Sequence, residues 1–123
     1  MNIQDNQISQ LQRRYPDARV EQSTDGQQLL VIPNVRCGTA WNVDCVTMRV
    51  LVPAGFPHVK PDCFYTESNL RLQNGGEPVS SSLQNVFDGQ YRWFSWHLMT
   101  WDPTTGSLDQ YVRFCQRRLM EVR

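Results

Sequence analysis

The sequence predicts an α+β fold: an N-terminal helix, an antiparallel β-meander, a long irregular segment and a C-terminal helix, all in one domain over residues 1–123. Three observations carry that prediction. Val46, Met48, Val50 and Val52 alternate with Thr47 and Arg49, the period-two pattern of a strand with one buried face. Leu108, Tyr111, Val112, Cys115 and Leu119 recur at helical spacing opposite Arg113, Gln116 and Arg117. Between these elements, residues 67–89 lose all periodicity and turn to Asn, Gly, Pro and Ser, with isolated Leu70, Leu72, Leu83 and Val86. A loop of that length in a small domain is functional or disordered.

Each element has its own local warrant. Ile8, Leu11 and Tyr15 make one stripe of a short first helix, with Asp5 as its cap and Pro16 as its stop. Asp25-Gly26 reads as a hairpin turn, and Leu29-Leu30-Val31-Ile32-Pro33 as a buried strand. The alternating strand runs from Cys45 to Val52 and ends at Pro53, which has no N–H for the ladder. Phe56-Pro57-His58-Val59-Lys60-Pro61 holds too much proline for a helix or central strand and reads as an ordered extended turn, with His58 at the surface. It delivers Cys63-Phe64-Tyr65 as a third strand. Tyr91, Trp93, Phe94, Trp96 and Trp101 form an aromatic patch suited to core and cleft wall. The last helix opens at Ser107, which has capping-box spacing to Gln110.

Bulk properties exclude several classes of function. A chain of 123 residues buries roughly two-thirds of the surface its unfolded form exposes, enough to fold without staples. Twelve basic and twelve acidic residues cancel, so no long-range field draws the chain to nucleic acid or to an anionic membrane. The aromatic patch has no basic stripe beside it and does not read as a base-stacking platform. Lys60 is the single lysine. A scarcity of amines suits a protein that handles activated carboxyls, and a compositional preference for arginine accounts for it equally. Cys37, Cys45, Cys63 and Cys115 form no CxxC pair and read as reduced core cysteines. His58 and His97 stand far apart, which leaves no closely paired ligands for zinc, so neither a metal nor a cofactor is expected. The N-terminal residues lack the basic and apolar regions of a secretory signal, and no apolar run reaches membrane-spanning length. A cytoplasmic protein is expected.

The order of motifs resembles a ubiquitin-conjugating enzyme over roughly residues 5 to 120. In that family the strand before the turn ends in proline, and the turn is tyrosine-proline followed by further prolines; here Pro53, Phe56-Pro57 and Pro61 take those places. Downstream, Trp101-Asp102-Pro103 is similar to the tryptophan-serine-proline that precedes the family's next helix. Two departures matter. The family's cysteine, which lies a few residues before that motif, has no counterpart in Phe94-Ser95-Trp96-His97-Leu98, and the His-Pro-Asn tripeptide is absent. Trp93-Phe94-Ser95-Trp96-His97 also resembles the bacterial branch encoded beside a ubiquitin-like protein, an activating enzyme and a peptidase, where an arginine often replaces Trp96.

The resemblance implies acyl transfer, which needs an exposed nucleophile, an oxyanion donor and a base. Ser95, six residues before Trp101, stands close to the place of the missing cysteine and is the first candidate for the nucleophile. A serine hydroxyl needs an adjacent base, and His97 supplies one if the segment is extended, since residues two apart then project to the same side. If the segment is helical the pairing fails. A serine bonded to nearby backbone and a histidine used only for packing are the plain alternatives. Cys63 and the run Ser80-Ser81-Ser82 are competing nucleophiles, Cys115 reads as core, and Asn74 or Asn85 is a substitute oxyanion donor.

Two functions follow. The first is a conjugating enzyme of a bacterial ubiquitination-like pathway that accepts a ubiquitin-like protein from an activating, adenylating enzyme, as an oxyester on Ser95 with His97 as base. The second is an inactive domain of the same fold that only binds a ubiquitin-like protein or its activating enzyme. An exposed Ser95 beside His97 favours the first, and a Ser95 buried among Trp93 and Trp101 favours the second. An unrelated α+β domain would instead place its strands out of meander order.

Overall fold

A computed structural model describes residues 5–22 and 27–123. Its elements in chain order are α1 (Asp5–Gln12), β1 (Arg19–Gln22), β2 (Gln28–Arg36), β3 (Cys45–Val52), β4 (Phe64–Glu67), β5 (Ser81–Val86), β6 (Gly89–Phe94) and α2 (Leu108–Met120). The strands make one antiparallel sheet in the order β1-β2-β3-β4-β6-β5. This is the α+β architecture of the ubiquitin-conjugating fold. The expected meander holds over the four strands β1 to β4; the strand order departs from it only in the added β5–β6 hairpin, which enters reversed with β6 pairing to β4 and β5 at the edge, so the departure does not mark an unrelated fold.

Strand β3 shows why the sheet has a core face. Val46, Met48, Val50 and Val52 are buried while the residues between them are half-exposed. The same cluster takes Leu30, Ile32 and Val35 from β2, Phe64 and Phe94 from the next strands, and the full stripe of α2. Each of these large side chains removes roughly 1.5–3 kcal/mol worth of apolar surface from water, so the pattern holds the two layers together. Ser107 accepts a hydrogen bond from Gln110 N–H at 3.0 Å and starts α2. Helix α1 adds Leu11 to the core, and the turn that follows it is tied to α2 by Arg14–Asp109 at 2.9 Å and by Tyr15 Oη donating to Gln116 at 3.0 Å.

The structure departs from the sequence reading in several places. Strand β1 was not anticipated, because its Arg-Val-Glu-Gln pattern is mostly exposed and carries no apolar face. Strand β2 runs past Pro33 to Arg36, and a shift of register between Ile32 and Val35, with Asn34 in the left-handed region, accommodates the proline. The irregular segment is shorter than expected. Residues 81–86 form edge strand β5, whose mostly polar residues are half-buried or exposed, Leu83 among the exposed ones, so that no buried apolar face marks the strand in a hydrophobicity pattern. The aromatic patch divides: Tyr91, Trp93 and Phe94 belong to β6, whereas Trp96 and Trp101 lie in the connection to α2. Trp101-Asp102-Pro103 does not open the helix directly; Asp102 first closes a turn by accepting from Thr104, and α2 begins at Leu108. The side chain of Asp5 and the turn at Asp25-Gly26 lie outside the described residues. Cys37, Cys45, Cys63 and Cys115 are all free thiols. Among the described residues no helix is long and apolar enough to cross a membrane.

Candidate active site

Two connections meet at the end of the β4–β6 pair. The first is the proline turn, which ends at buried Pro61 and continues through Asp62 and Cys63 into β4. Cys63 has φ of 60°, a left-handed conformation that costs a non-glycine residue of order 1 kcal/mol or more. Its main chain is held in that state from both sides: its N–H donates to Trp96 O at 3.2 Å, and the buried Tyr111 hydroxyl donates to its carbonyl at 2.9 Å. The second connection leaves β6 at Ser95, whose N–H donates to Ser80 O at 2.8 Å. Trp96 then stacks on Phe114 at 5.4 Å and donates its indole N–H to Phe114 O at 3.0 Å. Because α2 fixes both Phe114 and Tyr111, the helix positions the two connections against each other.

Anchored in this way, Ser95 and His97 project to the same side, as an extended segment requires. Ser95 Oγ lies 3.1 Å from His97 Nε2. The other ring nitrogen, Nδ1, lies 2.5 Å from Asp62 Oδ1. A carboxylate only accepts, so Nδ1 carries the proton and donates to Asp62. Nε2 then presents its lone pair, and the Ser95 hydroxyl donates to it. The array is open to solvent: Ser95 is half-buried, and the side chains of His97 and Asp62 are 47% and 61% exposed. Hydroxyl, imidazole and carboxylate in sequence can remove a proton from the oxygen as it attacks a carbonyl and return it to a leaving group.

Asp62 was missed in the sequence because it stands 35 residues from His97 and belongs to no recognisable spacing. Strand register was the signal that could have found it. Phe64 pairs with Phe94, so the residues just before Phe64 must meet those just after Phe94.

The competing candidates are placed elsewhere or are chemically quiet. Cys63 Sγ is 3.8 Å from His97 Nδ1, but it is buried and that burial pushes its thiol above the ordinary range. Cys115 is wholly buried in the core, and its thiol is raised further for the same reason. Ser81 Oγ donates to Pro78 O at 2.6 Å and accepts from buried Arg92 at 2.9 Å, a structural role. Ser80 and Ser82 are exposed and have no histidine partner. Asn74 accepts from Gly76 N–H in its own turn, and Asn85 sits near the tip of the β5–β6 hairpin, four residues from Ser81 and so about 13 Å along the strand. Asn85 does not reach the array, and the Asn74 carbonyl oxygen is engaged in its own turn. His58 is exposed on the proline turn, as expected.

A further contact is made by Trp101, which donates its indole N–H to Pro57 O at 2.7 Å and lies 6.0 Å from the Phe56 ring. The proline turn and the tryptophan motif, forty-odd residues apart, are thus one structural unit flanking the Ser95 site. An antiparallel sheet packed with two helices, with a proline turn tied to a tryptophan turn, defines a ubiquitin-conjugating-type domain. The family model for prokaryotic E2 family E matches residues 5–122, and the chain belongs to that family. No curated protein and no solved structure matches it.

Proposed function

We propose that the protein is a conjugating enzyme of a bacterial ubiquitination-like pathway that carries its modifier as an oxyester on Ser95. The observation that supports this reading is the continuous array from Ser95 Oγ through His97 to Asp62, open to solvent. An activating, adenylating enzyme presents the C-terminus of a ubiquitin-like protein as a thioester. Ser95 Oγ attacks the carbonyl carbon while His97 Nε2 takes its proton; the C–O bond forms, the C–S bond breaks, and the leaving thiolate recovers the proton. In the second step a target amine attacks the ester, His97 accepts the amine proton, and Ser95 leaves with a proton restored to its oxygen. Asp62 holds the imidazole in the tautomer that faces Ser95 and favours the imidazolium formed in each step. An oxyester is less activated towards amines than a thioester, so transfer relies more on positioning, which effective-molarity arguments allow to supply several kcal/mol.

A silent binding domain would have no need to keep a half-buried hydroxyl and an exposed imidazole in register. The distinguishing experiment mixes the protein with its activating enzyme, the ubiquitin-like protein and ATP, and reads the intact mass. An adduct that forms in wild type and Cys63→Ala but not in Ser95→Ala supports the proposal. No adduct under any condition, or one that persists in Ser95→Ala, would sink it.

A further inference from the structure

His97 faces a second set of donors on the side away from Ser95. One donor atom each of Asp62, Cys63 and His97 lies within 4.8 Å of the others, with His97 Nδ1 3.8 Å from Cys63 Sγ and 2.5 Å from Asp62 Oδ1. We infer that these three atoms form a binding site for a thiophilic divalent cation of the zinc class, and that its occupation withdraws His97 from Ser95. The donor set of thiolate, imidazole and carboxylate is the one zinc prefers, at about 2.0–2.3 Å from each ligand. Tetrahedral coordination at those lengths sets sulfur and nitrogen about 3.5 Å apart. Cys63 Sγ and His97 Nδ1 already stand at 3.8 Å. Asp62 Oδ1 and Nδ1, at 2.5 Å, must open by about 1 Å to admit the ion, and both side chains are exposed and free to do so. The thiol is the fixed corner, because the Cys63 main chain is pinned to Trp96 and Tyr111. A water can supply the fourth ligand. Sequence spacing argued against zinc because it considered close pairs only; folding brings the ligands in from residues 62–63 and 97.

Coordination has a definite effect on the imidazole. The ion takes the Nδ1 lone pair, so the ring proton moves to Nε2, while the Cys63 thiol loses its proton to water. Nε2–H then donates to Ser95 Oγ instead of accepting from it, and the hydroxyl has lost its base. This consequence rests on the proposed role of Ser95 and His97, whereas the metal site stands on its own geometry.

Both parts are testable on the full chain kept reduced. Titration with Co²⁺ should give thiolate-to-cobalt charge-transfer absorption that saturates at one equivalent and is displaced by Zn²⁺. Cys63→Ser should abolish it, Cys45→Ser should leave it, and the exposed changes Asp62→Asn and His97→Ala should each weaken binding at least 10-fold. No such absorption in wild type, or absorption that survives Cys63→Ser, overturns the site. In the adduct assay, zinc at a level that saturates wild type should lower the adduct at least 10-fold, a chelator should restore it, and the ratio with and without zinc should stay near one in Cys63→Ser. Equal inhibition of both proteins, or none in wild type with the site filled, overturns the withdrawal of His97. Absence of any adduct without zinc would instead defeat the function proposed above and leave the cobalt result to judge the metal site.

Discussion

The shared core of the sheet and α2 and the connection from Ser95 to Gly106 are built on different principles. In the first region, alternate residues of a strand and every third or fourth residue of a helix meet in a wholly buried layer, and many interchangeable apolar contacts share the load. In the second there is no regular secondary structure, and position is set by a few directional bonds from aromatic side chains to main-chain carbonyls: Trp96 to Phe114, Trp101 to Pro57 and Tyr111 to Cys63. A core of the first kind tolerates change in proportion to lost volume. A site of the second kind loses geometry when a single donor is removed, because nothing redundant replaces it. The Ser95–His97–Asp62 array sits in the second region and borrows rigidity from the first through α2.

The sharpest way to separate the regions is to remove a site residue and watch stability stay put. His97→Ala should slow adduct formation by roughly 10²–10⁴-fold, the usual contribution of a positioned base, while leaving the unfolding midpoint near wild type because the side chain is exposed. Asp62→Asn should lower the rate by less, since its carboxylate is exposed and screened by water. Core damage should do the reverse. Leu119→Ala, at a fully buried position, should cost about 2–5 kcal/mol in urea unfolding and lower adduct yield only in step with the folded fraction.

Tyr111 belongs to both regions and so tests the link between them. Tyr111→Phe keeps the ring in the core but leaves the Cys63 carbonyl without its donor, at a cost of about 1–3 kcal/mol, and it should slow adduct formation beyond what the loss of stability explains. At Gly106 an added Cβ would fall 2.4 Å from a Trp101 ring atom, so Gly106→Ala should destabilise by about 1–3 kcal/mol through overpacking. Ser107→Ala removes the cap of α2 and should cost about 1 kcal/mol, readable as a small shift in thermal midpoint with little change in rate.

What was legible in the sequence follows the same division. Strand β3 and helix α2 appear at their expected residues, because period and burial coincide there. The edge strands β1 and β5 escaped because each is mostly polar, and edge strands need no buried face to be held by a neighbour's hydrogen bonds. At the site, the pairing of Ser95 with His97 was readable because two residues in extended chain share a side. Asp62 and the approach of Cys63 were not, since they arise from strand register and from one left-handed residue rather than from any spacing.

The chemistry proposed for this protein depends on which atom carries the acyl group. The most direct measurement is the chemical lability of the adduct formed by wild type and by Ser95→Cys, with the attachment site read by tandem mass spectrometry. An oxyester on Ser95 predicts a wild-type adduct that resists thiol reductant and is cleaved by hydroxide, and a Ser95→Cys adduct at the same position that reductant releases. A wild-type adduct released by reductant, or one mapped to Cys63, would contradict it.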